Sequence, residues 1–240
     1  MNTNAGTVDA VLIVAAHGTA SPLGLATLRS IIAAVRSERP ELSVLESFLD
    51  VAEPTFADVI AAVDQPGVVV PVLLSGGYHV RTDIPSLVAG RAHIAVARPL
   101  GPDRALSAAL AARLAEARGD RRAGDAVVMV AAGSSDPSAR ADVTHAAADL
   151  ADLLGADVFL AVMSGPGRRL ADVRADYPYA RLDVASYLLA EGGFDSAMRR
   201  QASELGIETV AAPLGAHPAI VDLILARYDA GLGPHATGDL

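Results

Sequence analysis

Two histidines, one carboxylate and the glycines around them carry the chemistry this chain offers. His17 directly follows the apolar run Ala10–Ala16, and His79 follows a second run, Gly67–Leu74, after Ser75-Gly76-Gly77-Tyr78. Asp50 stands at the end of a third run, Leu42–Phe48, with Glu53 further on, just before Pro54. If these runs are neighbouring parallel strands, all three side chains collect at the carboxyl ends, where open parallel sheets bind ligands. Two neutral imidazoles and a carboxylate suit a borderline divalent ion such as Fe, Co, Ni or Zn better than Mg or Ca, which prefer oxygen shells. An imidazole can also accept a proton. Each residue has a plainer role open to it as well. A loop histidine can simply bond to backbone, and Asp50 can be a solvated loop carboxylate. Glu53 suits the start of a helix, Gly18, Gly76 and Gly77 suit tight turns, and Asp83 before Ile84-Pro85 suits a helix N-cap.

Composition removes most other chemistries. The chain has 240 residues and no cysteine, which excludes disulfides, thiolate metal sites and thiol nucleophiles. All 19 Lys+Arg residues are arginine, so there is no P-loop lysine and no Schiff-base lysine. A net charge of −9 with 4% aromatic residues argues against a nucleic-acid partner. No apolar run approaches the roughly 20 residues of a membrane span, and no basic head precedes the first apolar run, so a cytoplasmic address is expected.

The elements that must position the candidate residues alternate along the chain. Strands are expected at Ala10–Ala16, Leu42–Phe48, Gly67–Leu74 and His93–Ala97, several continuously apolar, as strands covered on both faces should be. Helices are expected at Leu23–Ser37, Pro54–Val63, Ile84–Arg91 and Asp103–Ala117, with Pro54 and Pro85 in first turns. The charged stretch Arg118–Asp125 reads as a linker, after which the plan repeats. Strands at Ala126–Ala132, Asp157–Met163, Leu182–Leu189 and Ile207–Ala211 alternate with helices at Pro137–Leu154, Arg168–Ala175, Phe194–Leu205 and Pro218–Tyr228. Val14–Thr19 also has a counterpart in Val130–Ser135, which sets Gly133 against His17, 116 positions apart. The fold class implied is α/β: two tandem duplicated domains, 1–118 and 125–231, each a parallel sheet flanked by helices, facing across a cleft about a pseudo-twofold axis. A tail, 232–240, is expected to fray.

Three segments together resemble one family. His17-Gly18-Thr19, Phe48-Leu49-Asp50-Val51-Ala52-Glu53-Pro54 and Gly77-Tyr78-His79-Val80-Arg81-Thr82-Asp83-Ile84-Pro85 are similar, in order and spacing, to the sirohydrochlorin chelatases, the class II family that inserts Co2+ or Fe2+ into sirohydrochlorin on the way to siroheme or cobalamin. The tandem second half looks like the family's two-domain form. The resemblance implies that His17 and His79 are the catalytic histidines and metal ligands, and that Asp50 accompanies them at the metal. Gly76, Gly77, Tyr78 and Arg81 are the expected substrate contacts, Arg81 for a carboxylate of the tetrapyrrole, with Arg140 and Arg168 as weaker candidates. No cofactor beyond the substrate metal is expected, and the duplication makes a monomer the expected state.

The second half lacks this apparatus. Gly133 stands against His17, and the stretch Leu188–Asp195 sets Asp195 against His79 with one extra residue, while His145 and His217 read as structural or surface residues. Two rival readings remain. A histidine phosphatase would need arginine immediately before the nucleophilic histidine, where this chain has Ala16. A divalent-metal-binding or delivery protein could use the same histidine pair without acting on a tetrapyrrole.

Overall fold

The structure, a computed structural model, describes residues 10–233. All sixteen expected strands and helices are present, with ends displaced by a few residues. In the first half, β1 (Val11–Ala16), β2 (Val44–Phe48), β3 (Gly67–Val72) and β4 (Ile94–Val96) alternate with α1 (Pro22–Glu38), α2 (Phe56–Ala62), α3 (Ile84–Val88) and α4 (Arg104–Arg118). The second half follows with β5 (Ala126–Ala131), α5 (Pro137–Leu154), β6 (Val158–Val162), α6 (Leu170–Asp176), β7 (Leu182–Tyr187), α7 (Gly193–Glu204), β8 (Thr209–Val210) and α8 (Pro218–Gly231). Among the described residues no helix is long and apolar enough to cross a membrane.

Each half forms its own four-stranded parallel sheet, ordered β2-β1-β3-β4 and β6-β5-β7-β8. The apolar strand at each centre explains that order: every residue of β1, β3, β5 and β7 is buried. The side-chain alternation of β1 divides the core, because successive residues face opposite sides of a strand. Leu12, Val14 and Ala16 face α1, α4, α5 and α8, which fill the space between the sheets, while Val11, Ile13 and Ala15 pack with Phe56, Ile60 and Ile84 on the outside. The cleft between the halves is lined by residues at and beyond the carboxyl ends of the strands.

The halves exchange their closing helices. α4 leaves the first sheet to pack against α5, β7 and β8, and α8 returns to pack against β3 and α1. Gly231 permits the return, since a Cβ there would lie 2.4 Å from Val68 Cγ1. Arg227 fastens it by donating to the carbonyls of Pro99 and Leu100 and to Asp103. The chain boundary at 118–125 is thus crossed by packing in both directions. Of the expected tail, 234–240 lies outside the described residues, as do residues 1–9 of the first half. Leu232 N–H still donates to Tyr228 O at 3.2 Å, finishing α8.

Two local expectations are corrected. Pro54 precedes the N-cap of α2 instead of occupying its first turn, because Thr55 Oγ1 accepts from Asp58 N–H at 3.1 Å and so fixes the helix start at Phe56, two residues later. Asp83 does not cap α3 with its side chain, because the chain is already helical there: a π-helical turn, His79–Asp83, runs directly into α3. Pro85 does sit in the first turn.

Candidate active site

His17 leaves the carboxyl end of β1 and His79 opens the π turn beyond β3, its immediate neighbour in the sheet. Their rings meet edge to face, with centroids 5.0 Å apart and planes at 89°. An ion bonded to both rings at about 2.0–2.1 Å per nitrogen sets the centroids roughly 5–5.5 Å apart, so this spacing fits shared ligation. The π turn brings Asp83 onto His79: Nδ1 lies 2.6 Å from Asp83 Oδ2. With that proton given to the carboxylate, Nε2 keeps its lone pair, the usual arrangement behind a ligating or basic histidine. His17 Nδ1 lies 3.3 Å from its neighbour's carbonyl, Gly18 O.

The pair opens into a cleft of about 700 Å³ between the halves. His17, Gly77, Tyr78 and His79 line it from the first half and Ala132, Gly133, Tyr187, Glu191, Phe194 and Asp195 from the second. Apolar side chains, among them Leu28, Val72, Leu74, Val143 and Leu189, cover much of its wall. Tyr187 is buried, and burial pushes its phenol well up, so it stays protonated and donates to Leu74 O at 2.9 Å.

The remaining candidates are elsewhere. Asp50 is exposed beside the cleft, and its carboxylate accepts from Val51 N–H at 2.8 Å. It is the turn that Asp50 closes which reaches the cleft: Val51 lines the mouth with φ 64°, a conformation unusual for a β-branched residue and typical of strained functional sites. Glu53 accepts from Thr55 N–H at the head of α2. Among the described residues no group of three or more His, Asp or Glu side chains is arranged to hold a metal, so the histidines stand as a pair. Gly76 lies behind the wall, its N–H donating to Asp142 at 2.8 Å. The Arg81 guanidinium donates to Asp136 of the second half and, with Ser138, holds that carboxyl well below the usual carboxylate range. Arg168 pairs with Asp176, whereas Arg140 donates to Ser135 O, next to Ser134 in the cleft lining. His145 is exposed on α5 and His217 caps α8 through its Nδ1, both structural or surface positions.

The internal repeat needs correcting by one residue. Gly18 and Gly133 are the true counterparts: φ is 90° at one and 88° at the other, and a Cβ on each would lie 2.0 Å from the carbonyl oxygen of Asp50 and of Ser164 respectively. Ala132 therefore stands where His17 does, and each carbonyl accepts from the second residue after the neighbouring strand, Asp50 N–H or Ser164 N–H. In the other loop Gly77 O accepts from Arg81 N–H and Gly192 O from Ser196 N–H, which puts Phe194, not Asp195, in the place of His79. Asp195 is buried and paired with Arg199 through both carboxylate oxygens. The signal was present in the matching cap pairs Ser21-Pro22 and Asp136-Pro137, which fix an offset of 115 without any gap. Val51 and Glu191, by contrast, carried no sequence pattern marking them as cleft residues.

Residues 11–117 match the CbiX family model. Among curated proteins none matches the chain in sequence. The fold is similar to that of SirB from Bacillus subtilis with Fe3+, at 22% identity and TM-score 0.79 over 93% of this chain and 95% of that one. It is similar also to the sirohydrochlorin chelatase SirB from Bacillus subtilis subspecies spizizenii in complex with cobalt, at 21% identity and TM-score 0.78 over 95% and 98% of the two chains. A third likeness is to CbiX described as the terminal enzyme for biosynthesis of siroheme in denitrifying bacteria, at 19% identity and TM-score 0.70 over 93% and 100%. These structures share the two-sheet architecture, and the first half of the chain is similar to the CbiX family over residues 11–117.

Proposed function

We propose that this protein inserts a divalent ion, Fe2+ or Co2+, into sirohydrochlorin, with His17 and His79 as the catalytic pair. The observation that carries the reading is the pair itself: two imidazoles at ligand-sharing distance, 5.0 Å between centroids, at the open end of a cleft of about 700 Å³. That volume is within the usual range of small-molecule sites, about 300–1,000 Å³.

Insertion asks the protein for three things: a partly desolvated ion, an acceptor for the two pyrrole protons, and a surface on which a macrocycle can lie. Nε2 of His79, backed by Asp83, takes one pyrrole proton once the ion has passed to the macrocycle, because the carboxylate stabilises the imidazolium that forms, and His17 takes the other. His17 shares the arriving ion with His79 from the same side of the macrocycle, since the two ring centroids are only 5.0 Å apart. The apolar wall, with Tyr78 and Phe194 exposed at its edge, offers contact to a flat ring system. Asp50 braces the Val51 turn through Val51 N–H, and its own N–H donates to His17 O, so it supports the His17 loop. Among the described lining residues there is no arginine, and Arg81 is held by Asp136, so Arg140 is the nearer candidate for a substrate carboxylate. Such a protein needs no cofactor beyond its substrate metal and no macromolecular partner, and the internal duplication supports action as a monomer.

The test is the absorbance of sirohydrochlorin on adding Co2+ with and without the protein. A chelatase accelerates the spectral change in proportion to its concentration. A metal-binding or delivery protein sequesters Co2+ and leaves the rate at or below the uncatalysed one.

A further inference from the structure

The segment from Leu74 to Asp83, which carries His79, is held by the second half. Tyr187 O–H donates to Leu74 O at 2.9 Å, and Gly76 N–H donates to Asp142 Oδ2 at 2.8 Å. Ser138 Oγ donates to Gly76 O at 3.3 Å, and the Arg81 guanidinium donates to Asp136. Asp136, Ser138 and Asp142 all belong to the N-cap and first turns of α5.

The pseudo-twofold axis supplies an internal comparison. Thr27 on α1 is the counterpart of Asp142 on α5, and Glu191 is the counterpart of Gly76. Thr27 O–H donates to Glu191, so helix-to-loop contact recurs on the other side. The charged strap does not recur: the counterparts of Arg81 and Asp136 are Ser196 and Ser21, and Ser21 only caps α1. The loop that carries a histidine is fastened by an ion pair and a carboxylate on its backbone. Among the described residues the loop that carries Phe194 has no ion pair to α1 and no carboxylate on its backbone, its Asp195 pairing with Arg199 of α7 itself.

We propose that Asp136 and Asp142 are positioning residues for His79. On this proposal the second half, which has Ala132 and Phe194 in place of the two histidines, acts on the reaction by fixing the His79 segment through α5. It rests on the metal-insertion reading for its catalytic consequence but not for the latch itself. Arg81 is then a strap and not a substrate contact.

The experiment uses the full chain with Arg81→Gln, Asp136→Asn and Asp142→Asn, and the charge exchange Arg81→Asp/Asp136→Arg. Arg81 is largely exposed, so Arg81→Gln is a variant that folds even if an α5 variant does not. Three readouts are taken: hydrogen exchange of residues 74–83 against β1, affinity for Co2+ by competition with a chromophoric chelator, and kcat for Co2+ insertion into sirohydrochlorin. Loss of one charge-assisted bond is expected to speed exchange at 74–83 and to weaken Co2+ binding, each about tenfold, with β1 unchanged. The turnover number falls in parallel while KM holds, and the charge exchange restores Co2+ affinity. Unchanged exchange at 74–83, or Co2+ affinity equal to wild type in all three single variants, overturns the proposal. If the wild-type protein inserts no metal, the functional reading fails, and exchange and Co2+ affinity still decide the latch.

Discussion

Gly18 is fixed by the approach of two backbones, with φ 90° and a would-be Cβ 2.0 Å from Asp50 O. Gly18→Ala is expected to destabilise the fold by about 2–4 kcal/mol, read as a shift in denaturant midpoint, since both the backbone conformation and the space forbid a side chain. Asp83 gives a different test, because its partly exposed carboxylate is paired with His79. Asp83→Asn should leave stability unchanged and lower metal insertion by roughly 10–100-fold, the usual cost of losing the partner that orients a ligating histidine. Residue type and spacing made His17 and His79 legible in the sequence, because both directly follow or closely trail a strand. The role of Asp83 was not legible. Its position before Ile84-Pro85 has the form of a cap, and only the π turn reveals that its carboxylate turns back to His79.

The strands and helices were read from apolar runs and cap residues, and errors arose where tertiary contacts set the ends. Leu182–Leu189 was expected as one strand, but β7 stops at Tyr187 because Leu188 and Leu189 carbonyls accept from Leu214 and Gly215 N–H outside the ladder. The helix exchange could not be read at all, since α4 and α8 have apolar faces that fit either sheet. α8 is held at its end by Arg39, which donates to both carboxylate oxygens of Asp229 at 2.6 and 2.8 Å. The Arg39 guanidinium lowers the Asp229 carboxyl from its ordinary value. A carboxyl lowered on folding adds stability above its unfolded value, and that stability is lost as pH falls through the folded one. Both side chains are partly exposed, so Asp229→Asn should cost at most about 1 kcal/mol at neutral pH, and the difference from wild type should vanish in acid. Paired denaturation curves at pH 7 and below pH 3 would check this, and a loss that persists unchanged in acid would assign the effect to packing.

At the scale of the molecule, duplication was visible in the sequence but independence of the halves is not what the chain builds. The core between the sheets draws on both halves, and β3 is covered by α8 from the far end of the chain. A fragment ending at Arg118 should therefore lack a cooperative unfolding transition as a monomer, which sedimentation and denaturation together would establish. A stable monomeric fragment would show that the exchanged helix is dispensable. The same organisation gives the site its division of labour: histidines from one half, a fixed wall and a strap from the other. The most direct test is the initial rate of Co2+ insertion into sirohydrochlorin, followed by absorbance, for the wild-type protein, His17→Ala, His79→Ala and His145→Ala. Loss of either member of the pair should lower the rate by about 10²-fold or more while His145→Ala leaves it unchanged. Folded His17→Ala and His79→Ala proteins that insert metal at the wild-type rate would contradict the assignment of the site.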